Sequence, residues 1–108
     1  MVLDDAGLLR SCRVQGHAGA GKRGNDIVCA AVSVLSKTII KVLSGRKGIS
    51  IRGSIPDEGN FYMEAEYTPE GSEFLAAAGA FFYEGLLSVS AEFPDKCKVT
   101  IERRNIYG

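Results

Sequence analysis

Tryptophan is absent from this 108-residue chain, histidine occurs once and proline three times. A single histidine leaves imidazole chemistry only one place to occur. The three cysteines, Cys12, Cys29 and Cys97, are an odd number without CxxC or finger spacing, which argues against a disulfide framework or a structural zinc site. An excess of either charge is also lacking, because thirteen basic residues stand against thirteen acidic ones. Nucleic-acid-binding domains are usually strongly basic, so direct nucleic-acid binding is not expected. The opening MVLDDAGLL has no basic segment before an apolar stretch, and no continuous apolar run reaches the ~18 residues of a membrane span. These features predict a soluble cytoplasmic protein without membrane contact, in a compartment that keeps thiols reduced. Repeats, low-complexity tracts and linkers are missing, so residues 1–108 are expected to form a single domain. No metal or cofactor is expected.

The residues that are present fall into alternating and helical patterns. Residues 1–5 are predicted to be a short edge strand. From Leu8 to Val14 one side holds Leu8, Arg10, Cys12 and Val14 and the other Leu9, Ser11 and Arg13, which predicts a half-buried strand with Cys12 as a small packed hydrophobe. A helix is predicted from about Asp26 to Leu43, capped by Asn25 or Asp26 and closed by Gly45. Its buried face is read from Ile27, Ala30, Ala31, Val34, Leu35, Thr38, Ile39 and Val42, which recur at three and four residues. Two alternating runs, Ile49 to Ile55 and Phe61 to Tyr67, flank the turn-forming Pro56-Asp57-Glu58-Gly59-Asn60 and predict a hairpin. Thr68-Pro69-Glu70 opens a second helix, with Phe74, Leu75, Ala78, Phe81, Phe82, Gly85, Leu86 and Val89 as its apolar face and Phe93-Pro94 as its stop. Gly79 and Gly85 inside it predict close backbone approach. A last strand is read from Lys96 to Arg104, with Cys97 on its apolar side. The order β-β-α-β-β-α-β predicts an α+β fold: a two-layer, mostly antiparallel sheet with two helices packed on one face.

One stretch concentrates the reactive groups. Between Gly16 and Ser33 lie the lone His17, Cys29 and the passage from a glycine-containing loop to an apolar helix. Cys29, three residues past the predicted cap, is expected in the first helical turn, where free N–H groups and the helix dipole favour an anion. The thiolate is the nucleophile of cysteine chemistry, and an adjacent histidine is a recognised way to form it near neutral pH. Taken alone, each residue also has an ordinary structural reading: Cys29 as a core residue, His17 as a turn residue.

The ordered blocks Gly16-His17-Ala18 and Gly24-Asn25-Asp26-Ile27-Val28-Cys29-Ala30-Ala31-Val32-Ser33 resemble the signature of the ribosomal-processing cysteine proteases, the Prp family of small bacterial enzymes. A weaker likeness runs on through Gly85, Leu86, Leu87 and Phe93-Pro94. The resemblance implies a cysteine endopeptidase that removes a short N-terminal extension from a large-subunit ribosomal protein, with His17 and Cys29 as the catalytic pair. In that reading Cys29 attacks the peptide carbonyl and His17 carries the proton to the leaving amine. Asp26 caps the helix, orients His17 or does both, and Ser33, one turn beyond Cys29, either bonds near the sulfur or the substrate or is an ordinary solvated or back-bonded serine. Backbone N–H groups around Cys29 are the nearest oxyanion donors. The family likeness, with Phe81, Phe82 and Tyr83 circling more of the second helix than one face can bury, also implies a homodimer.

Gly16, Gly19, Gly21 and Gly24 are read as a gate over the catalytic pair, because glycine lowers the cost of rearrangement. The letters Gly19-Ala20-Gly21-Lys22-Arg23-Gly24 also satisfy GxGxxG, but they lack the strand-to-helix register of a dinucleotide site, and any glycine-rich segment produces them easily. The alternative to the protease is a non-catalytic ribosome-associated binding module in which Cys29 only packs the helix.

Overall fold

The computed structural model describes residues 1–15, 23–54, 60–94 and 101–103. Its elements follow the predicted order: β1 (Val2–Leu3), β2 (Leu9–Gln15), α1 (Arg23–Leu43), β3 (Ile49–Ser54), β4 (Asn60–Tyr67), α2 (Pro69–Glu92) and β5 (Glu102–Arg103). The strands form one sheet in the order β3-β4-β2-β1-β5, antiparallel except where β1 and β5 run parallel. This is the predicted α+β fold. β1 is not an edge strand, because β5 pairs with its outer side and the Glu102 amide donates to the Met1 carbonyl. Of the predicted last strand, Glu102–Arg103 forms β5, while residues 96–100, Cys97 among them, and Arg104 lie outside the described residues.

Alternation holds on β4, where Phe61, Met63 and Ala65 are buried beneath the helices while Glu64 and Glu66 face water. On β2 it breaks. Val2 sits opposite Ser11 but Leu3 opposite Leu9, so one extra residue bulges from β2. A bulge reverses the side of everything before it. Leu9 and Cys12 are accordingly both buried, and the single alternation predicted through Leu8 to Val14 is replaced by two short ones. Cys12 is the packed hydrophobe expected of it, and burial pushes its thiol pKa up to about 11.

α1 turns inward a face rotated from the predicted one, keeping Ile39 buried and Ala31 and Leu35 half-buried. Its buried row is Val28, Val32, Ser36, Ile39 and Leu43, whereas Ile27 is 56% exposed and Val34 64% exposed. Ala30, Thr38 and Val42 are exposed with them, and the Thr38 hydroxyl donates to the Val34 carbonyl. α1 ends as expected, with Gly45 at φ 76°. α2 begins at Pro69 after an extended Thr68 whose hydroxyl makes no cap bond; the Thr68 amide instead donates to the Gly48 carbonyl. Its buried row is Gly71, Leu75, Gly79, Phe82 and Leu86. The helix is long and apolar enough to cross a membrane by length and composition, yet it packs this row on the sheet. Phe81, predicted to lie on the apolar face, is 73% exposed.

The two glycines inside α2 act as expected. A Cβ on Gly85 would lie 2.8 Å from Leu35 Cδ2, and one on Gly79 would meet the Leu9 Cβ at 3.4 Å. With Arg46 stacked 3.6 Å from the Phe74 ring centroid at the other end, the Leu35–Gly85 contact makes α1 and α2 an antiparallel pair.

Candidate active site

β2 ends at Gln15, which is paired with Asn60 at the end of the sheet where Ser54 of β3 also meets Tyr62 of β4. α1 starts from this end at Arg23 and runs back across β3, and its other end reaches Gly45 and the turn into Ile49. A Cβ on Gly53 would come within 2.5 Å of Ile40 Cδ1, so α1 lies close on the edge strand. The sheet end beyond Gln15 therefore collects the first turns of α1.

His17 is two residues past Gln15 and, with Gly16, Gly19 and Gly21 of the expected gate, lies outside the described residues. Gly24 does not belong to a loop, since it is the second residue of α1. Asp26 and Cys29 are placed by the backbone of α1, and their side chains lie outside what is described. The helix starts three residues earlier than the predicted cap, so Asp26 stands inside the first turn and is not the N-cap. Cys29 is the seventh residue of α1 and belongs to its second turn. This shifts the electrostatics. The N–H groups left free by an α-helix are the first four, here those of residues 23–26, and the dipole's influence fades beyond the first turn. The amide of Cys29 itself lies within the hydrogen-bonded ladder.

Ser33, one turn beyond Cys29, is half-buried. Ser36, a further turn along α1, went unnoticed in the sequence because a serine amid Val34, Leu35, Ile39 and Ile40 carries no periodic signal. It is 1% exposed, and among the described residues its hydroxyl has no hydrogen-bond partner. Cys29 and Ser33 follow each other at one-turn spacing on α1, with Cys29 nearer the sheet's β2 exit, and Ser36 lies on the buried row itself. Cys29 thus belongs to the second turn of α1, whereas Cys12, the other cysteine within the described elements, is buried and hard to ionise.

Comparison with known proteins bears on the family and the fold. The family model described as cysteine protease Prp matches residues 1–98. SMU.848 from Streptococcus mutans has 26% identity to the chain and a TM-score of 0.76, with 95% of this chain and 90% of that one covered. Two structures of the ribosomal processing protease Prp from S. aureus share the fold. One, with a covalently linked product peptide, has 19% identity and a TM-score of 0.73; the other, with a substrate peptide, has 17% and 0.74. Each covers 95% of this chain and 94% of its own. No curated protein matches the chain.

Proposed function

This chain belongs to the Prp family of cysteine proteases, and from that premise we propose that it is an endopeptidase that removes a short N-terminal extension from a large-subunit ribosomal protein, with Cys29 as nucleophile and His17 as its base. The observation that carries the reading is the family match over residues 1–98, which includes His17 and the whole Gly24-to-Ser33 block. The S. aureus Prp structures with substrate and covalently linked product peptides lend support to a peptide substrate.

The roles follow from the position of Cys29. A sulfur one turn inside α1 gains less from the helix dipole than a first-turn sulfur, so thiolate formation depends mainly on His17. The thiolate adds to the scissile carbonyl, and the N–H groups of residues 23–26 are the α1 donors for the oxyanion. The imidazolium then protonates the leaving amine, and water releases the acyl group from sulfur. Asp26, in the turn before Cys29, orients His17; Ser33 contacts the sulfur or the substrate. Residues 16–22 act as the gate that admits the peptide. The enzyme works in the cytoplasm as a homodimer, without membrane or direct nucleic-acid contact.

The deciding experiment incubates the purified chain with the organism's N-terminally extended ribosomal protein and reads the products by mass. A single N-terminal clip is expected from the wild type and none from Cys29→Ala, which keeps the helix because alanine is its best former. Clipping by purified Cys29→Ala would sink the mechanism. No clip by the wild type, with three equally slow thiols, would favour the binding-module alternative.

A further inference from the structure

β3 closes one side of the sheet, and among the described residues no strand pairs with its outer edge. The ladder decides which groups that edge offers. The Thr68 amide donates to the Gly48 carbonyl, so the hydrogen-bonded pairs further along are Ser50 with Glu66 and Arg52 with Glu64. Ile49, Ile51 and Gly53 therefore turn their amides and carbonyls away from β4. The Ile49 amide is taken by the Arg46 carbonyl, while Ile51 and Gly53 keep both groups free among the described residues. An open edge of this kind is a template for an extended chain.

The helix above the edge says which chain. α1 crosses β3 with Ile40 over Gly53, whereas its Leu35 side meets α2 at Gly85. Ile40 thus marks the flank of α1 that looks away from α2 and over the open edge. Cys29 precedes Ile40 by eleven residues, which is three helical turns and about 20°, and Ser33 precedes it by seven, about 20° the other way. The three positions share one stripe of the helix, on which Ser33 and Ile40 are half-buried. Cys29 stands about 16 Å beyond Gly53 along the helix axis, toward the end of the sheet where β2 leaves. An extended chain covers that distance in about five residues.

We infer that the free edge of β3 carries the substrate: a segment of the extended ribosomal protein, about five to seven residues from the scissile bond, adds to the five-stranded sheet as a sixth strand bonded to the backbone of Ile51 and Gly53. The inference rests on the endopeptidase reading above and gives its substrate a track. Such pairing is made by main-chain groups, so it selects an unfolded segment over a folded one. Side-chain preference enters at one point. Gly53 has no side chain of its own and the Ile40 methyl lies over it, so a substrate residue beside Gly53 on the helix side meets an apolar surface.

Cleavage of synthetic peptides that span the junction between extension and mature ribosomal protein tests it. Methylating the peptide's backbone nitrogens one at a time is expected to lower kcat/KM about tenfold at alternate positions of the distal stretch and to leave the positions between within about twofold, since only every second amide points at the edge. Ile51→Pro removes the outward amide and keeps the bonds to β4, as an edge strand allows. It should raise KM about tenfold for long peptides and leave peptides cut short of the β3 stretch unchanged, a split that a general loss of fold does not give. The methylation series on wild type decides the matter if Ile51→Pro fails to fold. No cleavage of any junction peptide overturns the endopeptidase reading and the track together. Cleavage with a methylation profile that is flat through the distal stretch overturns the track alone. An Ile51→Pro variant that cleaves long peptides like wild type but sediments with a changed mass would give the edge to a second copy and overturn the proposal.

Discussion

Replacing Ser36 with alanine is expected to stabilise this protein, against the general rule that core substitutions destabilise. The hydroxyl is buried on the inward row of α1, without a partner among the described residues. Leaving a polar group dry and unbonded costs about 1–3 kcal/mol, and alanine removes that cost. Alanine also improves helix propensity by roughly 0.5 kcal/mol. Against this stands the cavity left by one oxygen, at ~24 cal/mol per Å³ worth a few tenths of a kcal/mol. The balance is a gain of about 1–3 kcal/mol, each kcal/mol worth roughly 4–8 °C in Tm for a domain near this size. Equilibrium urea unfolding of Ser36→Ala beside wild type measures it, with half-buried Ser33→Ala as a control expected near zero. A loss of 1 kcal/mol or more in Ser36→Ala would refute the reasoning, because it would mean the hydroxyl has a partner in solution.

Gly45 and Gly48 both sit at positive φ, but only a Cβ on Gly48 would meet backbone, at 2.4 Å from the Gly71 nitrogen. Gly45→Ala should therefore cost about 1 kcal/mol and Gly48→Ala well over 3 kcal/mol in chemical denaturation, the difference reporting the collision with α2. Asp4 is buried, and burial alone would raise its pKa, but hydrogen bonds from Tyr67, Leu8 and Ala6 and the charge of Arg10 outweigh that and hold it below the usual carboxylate value of 3.8. Its contribution is thus complete above pH 3.8 and lost as pH falls through the lowered value; Tyr67→Phe should cost about 2 kcal/mol at pH 7 and less in acid, by urea titration across pH. At pH 7 one thiol, Cys29, should alkylate far faster than Cys12, whose pKa stands near 11; mass mapping of labelled peptides checks it, and His17→Ala should remove the advantage.

The order of elements was legible because punctuation and alternation agree. Gly45, the turn before Phe61 and Pro69 separate segments whose periods differ, and β3 and β4 alternate without interruption. What misled was apolar surplus. In α1 the row through Ile27, Ala30 and Val34 is as hydrophobic as the row through Val28, Val32 and Ile39, so periodicity fits either, and a serine on the buried row tips the reading toward the wrong one. Leu8 and Leu9 are both apolar and hide the bulge between them and Ser11. Arg23-Gly24-Asn25 looks like loop by propensity, yet the helix takes it in, which moves Cys29 from the first turn to the second. His17 and Cys29 were legible as a pair only through the signature around them, because no spacing rule places a histidine from one connection beside a cysteine in the next helix.

The parallel pairing of β1 with β5 has a consequence for how the chain is made. Val2 aligns with Glu102 and Leu3 with Arg103, so β1 finds its outer partner only after β2, α1, β3, β4 and α2 have been translated. Closing so long a loop adds only logarithmically to the entropic cost, and the delay comes instead from the order of synthesis. During elongation the outer edge of β1 stands open while β2, α1 and the β3–β4 hairpin assemble beside it. Asp4 limits that exposure, since its carboxylate accepts from the Ala6 and Leu8 amides and the Tyr67 hydroxyl and so fastens β1 to a sheet that is complete by β4. The nascent domain can therefore hold its first strand in register long before its last one exists.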